Sequence, residues 1–293
     1  MQRKFLLLVN PVSGRKNGEL RAVIVSNRLE SEGFEVKVLL TSADPEFKDK
    51  VRNEWDESIT DLIAMGGDGT LNLAVNILYN KKVHLNIIAN GNGNDFVKNI
   101  NIGKSFEEQL ETIVSGELLN IDVGMCNDQL FLNGLGLGFD GQIVYDNINR
   151  KSIFSGHTKY YAQVLRILAT FIPQKIMYSI DGEVSSDHII LMMVANGTTF
   201  GGGFKLTPDA KVSDGQLAIC LIRQIAPLRR FWEVLKLTKG THGVLEAVDI
   251  TTGKEVFIKG NETIKAQIDG EYFGAPPYHI KVLPNHLEVR VKV

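Results

Sequence analysis

The chain has 293 residues, 44% of them hydrophobic and 23% charged, which exceeds one comfortable core and leaves no room for a long disordered tract, so two domains are expected. Its 32 Lys and Arg stand against 34 Asp and Glu, and this balance excludes an overall pull toward nucleic acid. Cys126 and Cys220 are too few and too far apart in sequence for a disulfide framework or a zinc site, which fits a reduced, cytoplasmic setting.

Residues 1–9 end in a short apolar run that stops at Asn10-Pro11 without a small-residue cleavage site, so they read as a buried strand and not as a signal peptide. Residues 19–29 follow with helical spacing and complete one βα unit. The pattern then repeats. A strand over 34–40 ends at Thr41, residues 45–55 read as helix, and a strand over 61–65 enters a glycine-rich turn. A helix through Leu71, Val75 and Leu78 comes next, then a strand over 85–89 closed by residues 90–95. Strands alternating with helices imply an α/β domain with a doubly wound parallel sheet, whose ligands sit at the carboxyl ends of the strands.

The sharpest feature is the turn Gly66-Gly67-Asp68-Gly69-Thr70-Leu71-Asn72. A strand, such a turn and a helix in that order aim backbone N–H groups and a helix N-terminus at one point, which suits a phosphate, and the glycines allow close approach. Asp68 does not itself attract a bare triphosphate, so it either holds Mg²⁺ through water or organises the loop. Asn10, Pro11, Ser13, Gly14, Thr41 and the run Gly91-Asn92-Gly93-Asn94-Asp95 fall at further strand ends. Singly, Asn10-Pro11 also serves as a strand terminator, Thr41 as a helix cap and Asn94-Asp95 as a plain turn. Four such loops at one sheet edge favour a nucleotide site.

Ser105-Phe106-Glu107-Glu108 is a capping box opening a helix through Val114, closed by Gly116. After it the texture changes. Short strands read over 121–126, 130–133, 176–180, 189–194, 217–222, 256–258, 265–268, 279–282 and 287–291, which implies a mostly antiparallel β-sandwich as the second domain. The boundary is placed near Leu119, giving domains of 1–119 and 120–293. Gly136-Leu137-Gly138-Phe139-Asp140-Gly141 matches the dinucleotide fingerprint by letter, but residues 156–165 supply no acid for a ribose and the flanking strands read as antiparallel.

Residues 157–172 carry Tyr160, Tyr161, Val164, Leu165, Leu168, Phe171 and Ile172 on one apolar face. That face reads either as core or as the wall of a lipid-acceptor groove near a bilayer, with Lys159, Arg166 and Lys175 toward headgroups and Arg223, Arg229, Arg230 and Lys236 in support. No other apolar run approaches the roughly 18 residues of a membrane helix, so membrane contact is expected to be peripheral. Residues 208–217 read as an Asp-Gly turn opening a hairpin. Asp-Gly-Glu occurs twice, at Asp181 and at Asp269, and composition does not choose between them.

The run from Gly66 to Asn72 resembles the signature of the superfamily that includes diacylglycerol kinases, sphingosine kinases, NAD kinases and phosphofructokinases. Together with Asn10-Pro11, Ser13-Gly14, the Gly91 to Phe96 loop, Gly136 to Asp140 and Asp269-Gly270-Glu271, it is similar to bacterial diacylglycerol-kinase-type lipid kinases over nearly the whole chain. The resemblance implies an NAD-kinase-like nucleotide domain, ATP and Mg²⁺ as cofactors, and a lipid hydroxyl as acceptor. It implies nucleotide contacts from Asn10, Pro11, Ser13, Gly14, Thr41, the Gly66 to Asn72 turn, Asn92 and Asn94. Asn92 stands where the family usually has Thr, and an amide also donates to phosphate. Asp269 becomes the general base, with Glu271, Asp68 and Asp95 in a carboxylate and Mg²⁺ network. The 208–217 loop becomes a structural Mg²⁺ site with the Asp214 side chain and the carbonyls of Lys211 and Gln216. The implied partners are ATP and a lipid at a membrane surface, with no nucleic acid, and a homodimer is one possible assembly. An NAD kinase is the nearest enzymatic rival, but Thr198-Thr199-Phe200-Gly201-Gly202-Gly203 is a poor substitute for that family's Thr-Pro-Thr-Gly-Ser-Thr-like run. Sphingoid-base or ceramide phosphorylation stays open, and Asp68, Asp269 and Glu271 speak against a non-catalytic nucleotide-binding regulator.

Overall fold

The structure is a computed structural model that describes residues 2–42, 44, 46–149 and 156–293, the side chains at 15, 16 and 156–161 excepted. The chain forms two compact units, one of Met1–Val123 with Pro284–Val293 and one of Gly124–Leu283.

In the first unit, β1 (Lys4–Val9), α1 (Ser13–Lys16), α2 (Gly18–Ser31), β2 (Glu35–Leu40), α3 (Phe47–Asn53), β3 (Asp61–Gly66), α4 (Asp68–Ile77), β4 (His84–Ala89) and α5 (Phe106–Ser115) follow one another, and β5 (Glu117–Cys126) leads out. The strands pair in the order β2-β1-β3-β4, all parallel; β1 and β3 are apolar runs covered on both faces, while β2 is a largely exposed edge. Phe5, Leu7, Val9, Ile63 and Met65 pack against Val25 and Leu29 of α2 and Leu110 and Ile113 of α5. Leu6 and Leu39 point the other way, toward Phe47 and Val51 of α3. The doubly wound arrangement thus follows from alternation along each strand. Of the helix expected over 45–55, Pro45 lies outside the described residues.

The last ten residues were assigned by sequence to the second domain, yet they join the first unit, where Val289 pairs in parallel with Leu85. A charge fastens them. Asp61 is fully buried at the start of β3, takes Arg3 in a bidentate pair (2.7 and 3.2 Å), and has Arg290 Nη2 at 3.6 Å. Burial pushes the Asp61 carboxyl up, but the Arg3 hydrogen bond and charge, with Thr60 and Asn86, hold it below its usual range. Periodicity cannot report such a long-range pair.

The second unit continues with β6 (Gln129–Phe131), β7 (Gly134–Gly138), α6 (Phe139–Asn149), α7 (Gly156–Thr170), β8 (Gln174–Ile180), β9 (Glu183–Ala195), β10 (Leu217–Arg223), α8 (Pro227–Lys239), β11 (Val248–Gly253), β12 (Glu255–Gly260), β13 (Ala266–Ile268), β14 (Glu271–Gly274) and β15 (Tyr278–Val291), whose end lies in the first unit. Its strands run β14-β13-β7-β9-β8-β12-β15, with β10 and β11 added beside β9, and their pairings are antiparallel. Met192 and Val194 of β9 join Leu217, Ile219, Val256 and Ile280 in one core, while Met193 and Ala195 join Cys220, Ile222 and side chains of α6, α7 and α8 in another. Both faces of one sheet are buried, one by strands and one by helices. Helices α6 and α8 were not expected from the sequence, and α7 begins at Gly156.

Candidate functional site

Three loops meet at the carboxyl end of the parallel sheet. After β1, the Asn10 side-chain oxygen accepts from Val12 N–H (3.1 Å) and the Ser13 hydroxyl donates to the Asn10 carbonyl (2.8 Å). After β4, Asn90 is buried, its N–H bonds Gly66 O (2.8 Å), its amide nitrogen donates to Ser13 Oγ (2.8 Å), and its amide oxygen accepts from Arg21. One asparagine therefore joins the loops after β1, β3 and β4. It was not among the candidates, although its place as the first polar residue beyond a buried strand matches that of Asn10.

The turn after β3 is shaped by close approaches. A Cβ on Gly66 would lie 2.2 Å from Thr70 Oγ1, and one on Gly91 would lie 2.4 Å from the Gly67 Cα, so the two loops touch through glycine backbone. Asn94, at φ 47°, closes its own loop by accepting from Gly91 N–H (3.0 Å) and donating to Gly91 O (2.8 Å). Asp68 is the first residue of α4, and its Oδ1 accepts from the N–H groups of Asp95 (2.8 Å) and Phe96 (3.4 Å). It organises the Gly91 to Asp95 loop. Asp95 in turn accepts from Lys98.

The remaining candidates divide. Gly69 and Asn92 are exposed, whereas Thr70, Leu71 and Asn72 are buried. The N–H groups of Thr70 and Leu71 bond Gly67 O (3.0 and 3.1 Å), and the Leu71 side chain is buried. The Thr41 N–H bonds Val9 O (2.7 Å), which brings it to the same sheet end, and helix α3 starts without its cap. Pro11 and Gly14 lie beside Asn10 and Ser13, and Gly14 (φ 58°) has room for no side chain against Asn90. The glycine edges and helix N-terminus make a cradle for an anion. Among the described residues no cluster of three His, Cys, Asp or Glu could hold a metal alone. The donors fit Mg²⁺ in the form that shares one or two carboxylates with bound phosphates.

In the second unit the two Asp-Gly-Glu turns share one device. Asp269, at φ 47°, accepts from the N–H groups of Leu132, Asn133 and Gly134, each at 2.9 Å. Asp181, at φ 48°, accepts from Lys254 (2.9 Å) and Glu255 (2.8 Å) N–H. Each aspartate staples its turn to a neighbouring segment. Glu271 is different: it is exposed, and its carboxylate has no hydrogen-bond or ion-pair partner among the described residues. Gln267, buried beneath the turn, accepts from Gly270 N–H (2.6 Å) and donates to Asp140 Oδ2 (2.6 Å).

The Gly136 to Gly141 run is strand then helix, but β7 pairs antiparallel with β9 and β13, so the dinucleotide reading fails on topology. Its glycines serve packing. A Cβ on Gly136 would meet Asp140 Oδ2 at 2.1 Å, and one on Gly141 would meet the Lys265 carbonyl at 2.1 Å. Asp140 also lines a narrow groove of about 80 Å³ among α6, α7, α8 and the sheet. Its walls include Ile143, Val164, Leu168, Phe200, Val234 and Leu237. The polar groups there are engaged: Arg230 donates to the Leu168 and Phe171 carbonyls, Glu233 pairs with Arg229 and Lys236, and His242 Nε2 lies 3.1 Å from Leu206 O. What remains for a ligand is apolar apart from the buried His242 Nδ1 and Glu233 Oε2, which have no hydrogen-bond partner among the described residues beyond the Lys236 ion pair of Glu233. Of the face expected over 157–172, Val164, Leu168 and Phe171 are buried and Leu165 and Ile172 are exposed, while the side chains of Lys159, Tyr160 and Tyr161 lie outside the described residues.

Asp214 sits exposed in the 208–217 loop, its Oδ1 accepting from Gln216 N–H (3.1 Å) with Gly215 at φ 72°. Asp214 and Gln216 are thus brought together in one turn, and the Lys211 side chain is exposed.

Residues 4–126 match the family model of the diacylglycerol kinase catalytic domain, and residues 135–291 match that of the YegS C-terminal NAD kinase beta sandwich-like domain. The chain is 26% identical over 292 residues to a protein named diacylglycerol kinase from Staphylococcus carnosus, covering 99% of this chain and 95% of that one. It is 28% identical over 291 residues to one of the same name from Bacillus subtilis, covering 97% and 94%. A crystal structure titled a diacylglycerol kinase, from Bacillus anthracis, superposes with a TM-score of 0.75 at 22% identity, covering 99% of this chain and 97% of that one, and shows the same fold.

Proposed function

The chain belongs to the family that joins a diacylglycerol kinase catalytic domain to a YegS-type, NAD-kinase-like β-sandwich, and on that premise we propose that it transfers the γ-phosphoryl group of ATP to the hydroxyl of a diacylglycerol or closely related lipid. It is a kinase, an ATP-dependent phosphotransferase. The observation that carries the acceptor reading lies within the second unit. Asp140 lines the apolar groove and, through Gln267, connects its polar end to the Asp269-Gly270-Glu271 turn. Apolar walls of this kind suit an acyl chain, whose hydroxyl end would then lie near an acidic turn.

Phosphoryl transfer needs positioning, charge neutralisation and a base for the acceptor proton. The glycine cradle at Gly66, Gly67 and Gly91, with Asn10, Ser13 and Asn90 holding the three loops in register, is suited to the first for a nucleotide. Mg²⁺, when bound with the nucleotide beside Asp68 or Asp95, would supply the neutralisation. For the third, the geometry favours Glu271 over Asp269. Both Asp269 oxygens are committed to backbone N–H groups, whereas those of Glu271 are exposed and unencumbered, open to an acceptor hydroxyl. In this reading Asp269 positions the turn and Glu271 takes the proton. Asp214, with the carbonyls of Lys211 and Gln216, remains our candidate for a structural Mg²⁺ site.

Filling the groove tests the acceptor. Val234→Trp, at a half-buried wall position, should lower kcat/KM for long-chain diacylglycerol by at least about tenfold, since each methylene denied burial forfeits up to ~0.8 kcal/mol. A short-chain acceptor should be phosphorylated as before. An equal loss for both chain lengths, with Tm unchanged, would remove the groove from the reaction.

A further inference from the structure

We infer that the outward face of α8 is the surface by which this protein docks on an anionic phospholipid bilayer, an inference that rests on the lipid-acceptor reading and adds the place where the lipid is met. Helix α8 has the sequence PLRRFWEVLKLTK, begins with a proline and ends at Gly240 in the left-handed conformation, so its limits are well set. Its inner side is occupied: Phe231, Val234 and Leu237 pack on the core, and Val234 and Leu237 wall the acyl groove. Its outer side is not polar. Leu228, Trp232 and Leu235 are 82%, 76% and 56% exposed, and their spacing of four and three residues puts them on one stripe.

Three features select the occupant. Trp and Leu beside cations are what an interfacial helix presents, because the indole sits at headgroup level while Leu enters the acyl boundary. Toward the solvent Arg229, Lys236 and Lys239 stand against Glu233 as the helix's lone acid, and exposed Arg229 and half-buried Lys236 both pair with it, leaving a net positive surface that suits anionic headgroups. Two copies of this face would set those cations against each other, which disfavours a second copy as the cover. The third feature is continuity. The same helix walls the groove on its other side, and Arg230 ties it to the end of α7, next to Ile172, which is also exposed. No helix among the described residues is long and apolar enough to cross a membrane, so contact through this stripe is contact from one side.

The test uses the full chain with vesicles of phosphatidylglycerol and of phosphatidylcholine, without ATP. The wild type should sediment with the phosphatidylglycerol vesicles, less so as salt rises, and its tryptophan emission should shift to the blue. The shift should vanish in Trp232→Phe, which leaves Trp55 as the only indole. Leu228→Ser with Trp232→Ser and Leu235→Ser should reduce vesicle binding by at least about tenfold while Tm and turnover of a short-chain acceptor in detergent stay as in wild type. Undiminished binding by that variant, or equal and negligible wild-type binding to both vesicles, overturns the inference. So does a wild-type dimer that the triple substitution splits, since the stripe would then belong to a second copy. Wild-type vesicle binding with no phosphorylation of any lipid would uphold the docking surface and overturn the acceptor reading instead.

Discussion

Two carboxylates two residues apart differ in what surrounds them. Asp269 is held by three N–H groups, as Asp181 of the twin turn is by two, whereas Glu271 is exposed and has no partner among the described residues. The sequence offers the same three letters in both places, and the resemblance chose the second turn and named Asp269, not Glu271, as its base. Side-chain hydrogen bonding separates them. Glu271→Gln should lower kcat by about 10² to 10⁴ with ATP affinity and Tm nearly unchanged, the pattern of a lost proton acceptor. Asp269→Asn should lower Tm as well as kcat, because the amide replaces an oxygen that accepts backbone N–H groups. Steady-state kinetics beside thermal melting distinguishes the two. A full loss in Asp269→Asn at unchanged Tm, with an active Glu271→Gln, would return the base to Asp269.

At the scale of elements, the parallel sheet was legible because its inner strands are mostly apolar and each is closed by a polar or glycine residue, and the capping box at Ser105 forms as written. Gly116 closes that helix as read, though with φ −68° and extended backbone and not in the left-handed conformation. It is a glycine because a Cβ there would lie 2.4 Å from the Val291 carbonyl, a contact remote in sequence. Helix α6 was hidden by the glycines before it, and α8 by its exposed Leu and Trp, which blur an amphipathic pattern. The loops that meet at the sheet end are bound by backbone closeness that no local pattern reveals. Gly91→Ala would press a methyl against the Gly67 Cα, so nucleotide affinity should fall by at least about tenfold while the strands, which that contact does not touch, keep the fold. Unaltered binding of ATP by this variant, measured by titration calorimetry, would show that the loop contact is irrelevant to the nucleotide.

For the whole molecule, the sequence indicated an α/β unit followed by an antiparallel one, and the order of elements bears this out. The return of the last ten residues to the first unit escaped it, since Asp61, Arg3 and Arg290 are brought together only by folding. The site was legible where glycines and acids carry the motif and illegible where a common residue acts as a hub, as Asn90 and Gln267 do. The claim that rests on all of these parts is transfer of phosphate to a lipid alcohol. It is tested most directly by incubating the protein with γ-labelled ATP, Mg²⁺ and, in separate mixed micelles, diacylglycerol, ceramide and a sphingoid base, then identifying labelled lipid by mass. The account predicts labelled phosphatidic acid from diacylglycerol at a rate that Glu271→Gln lowers by about a hundredfold or more. Labelled product from none of the three lipids, while ATP is bound and left intact, would contradict it.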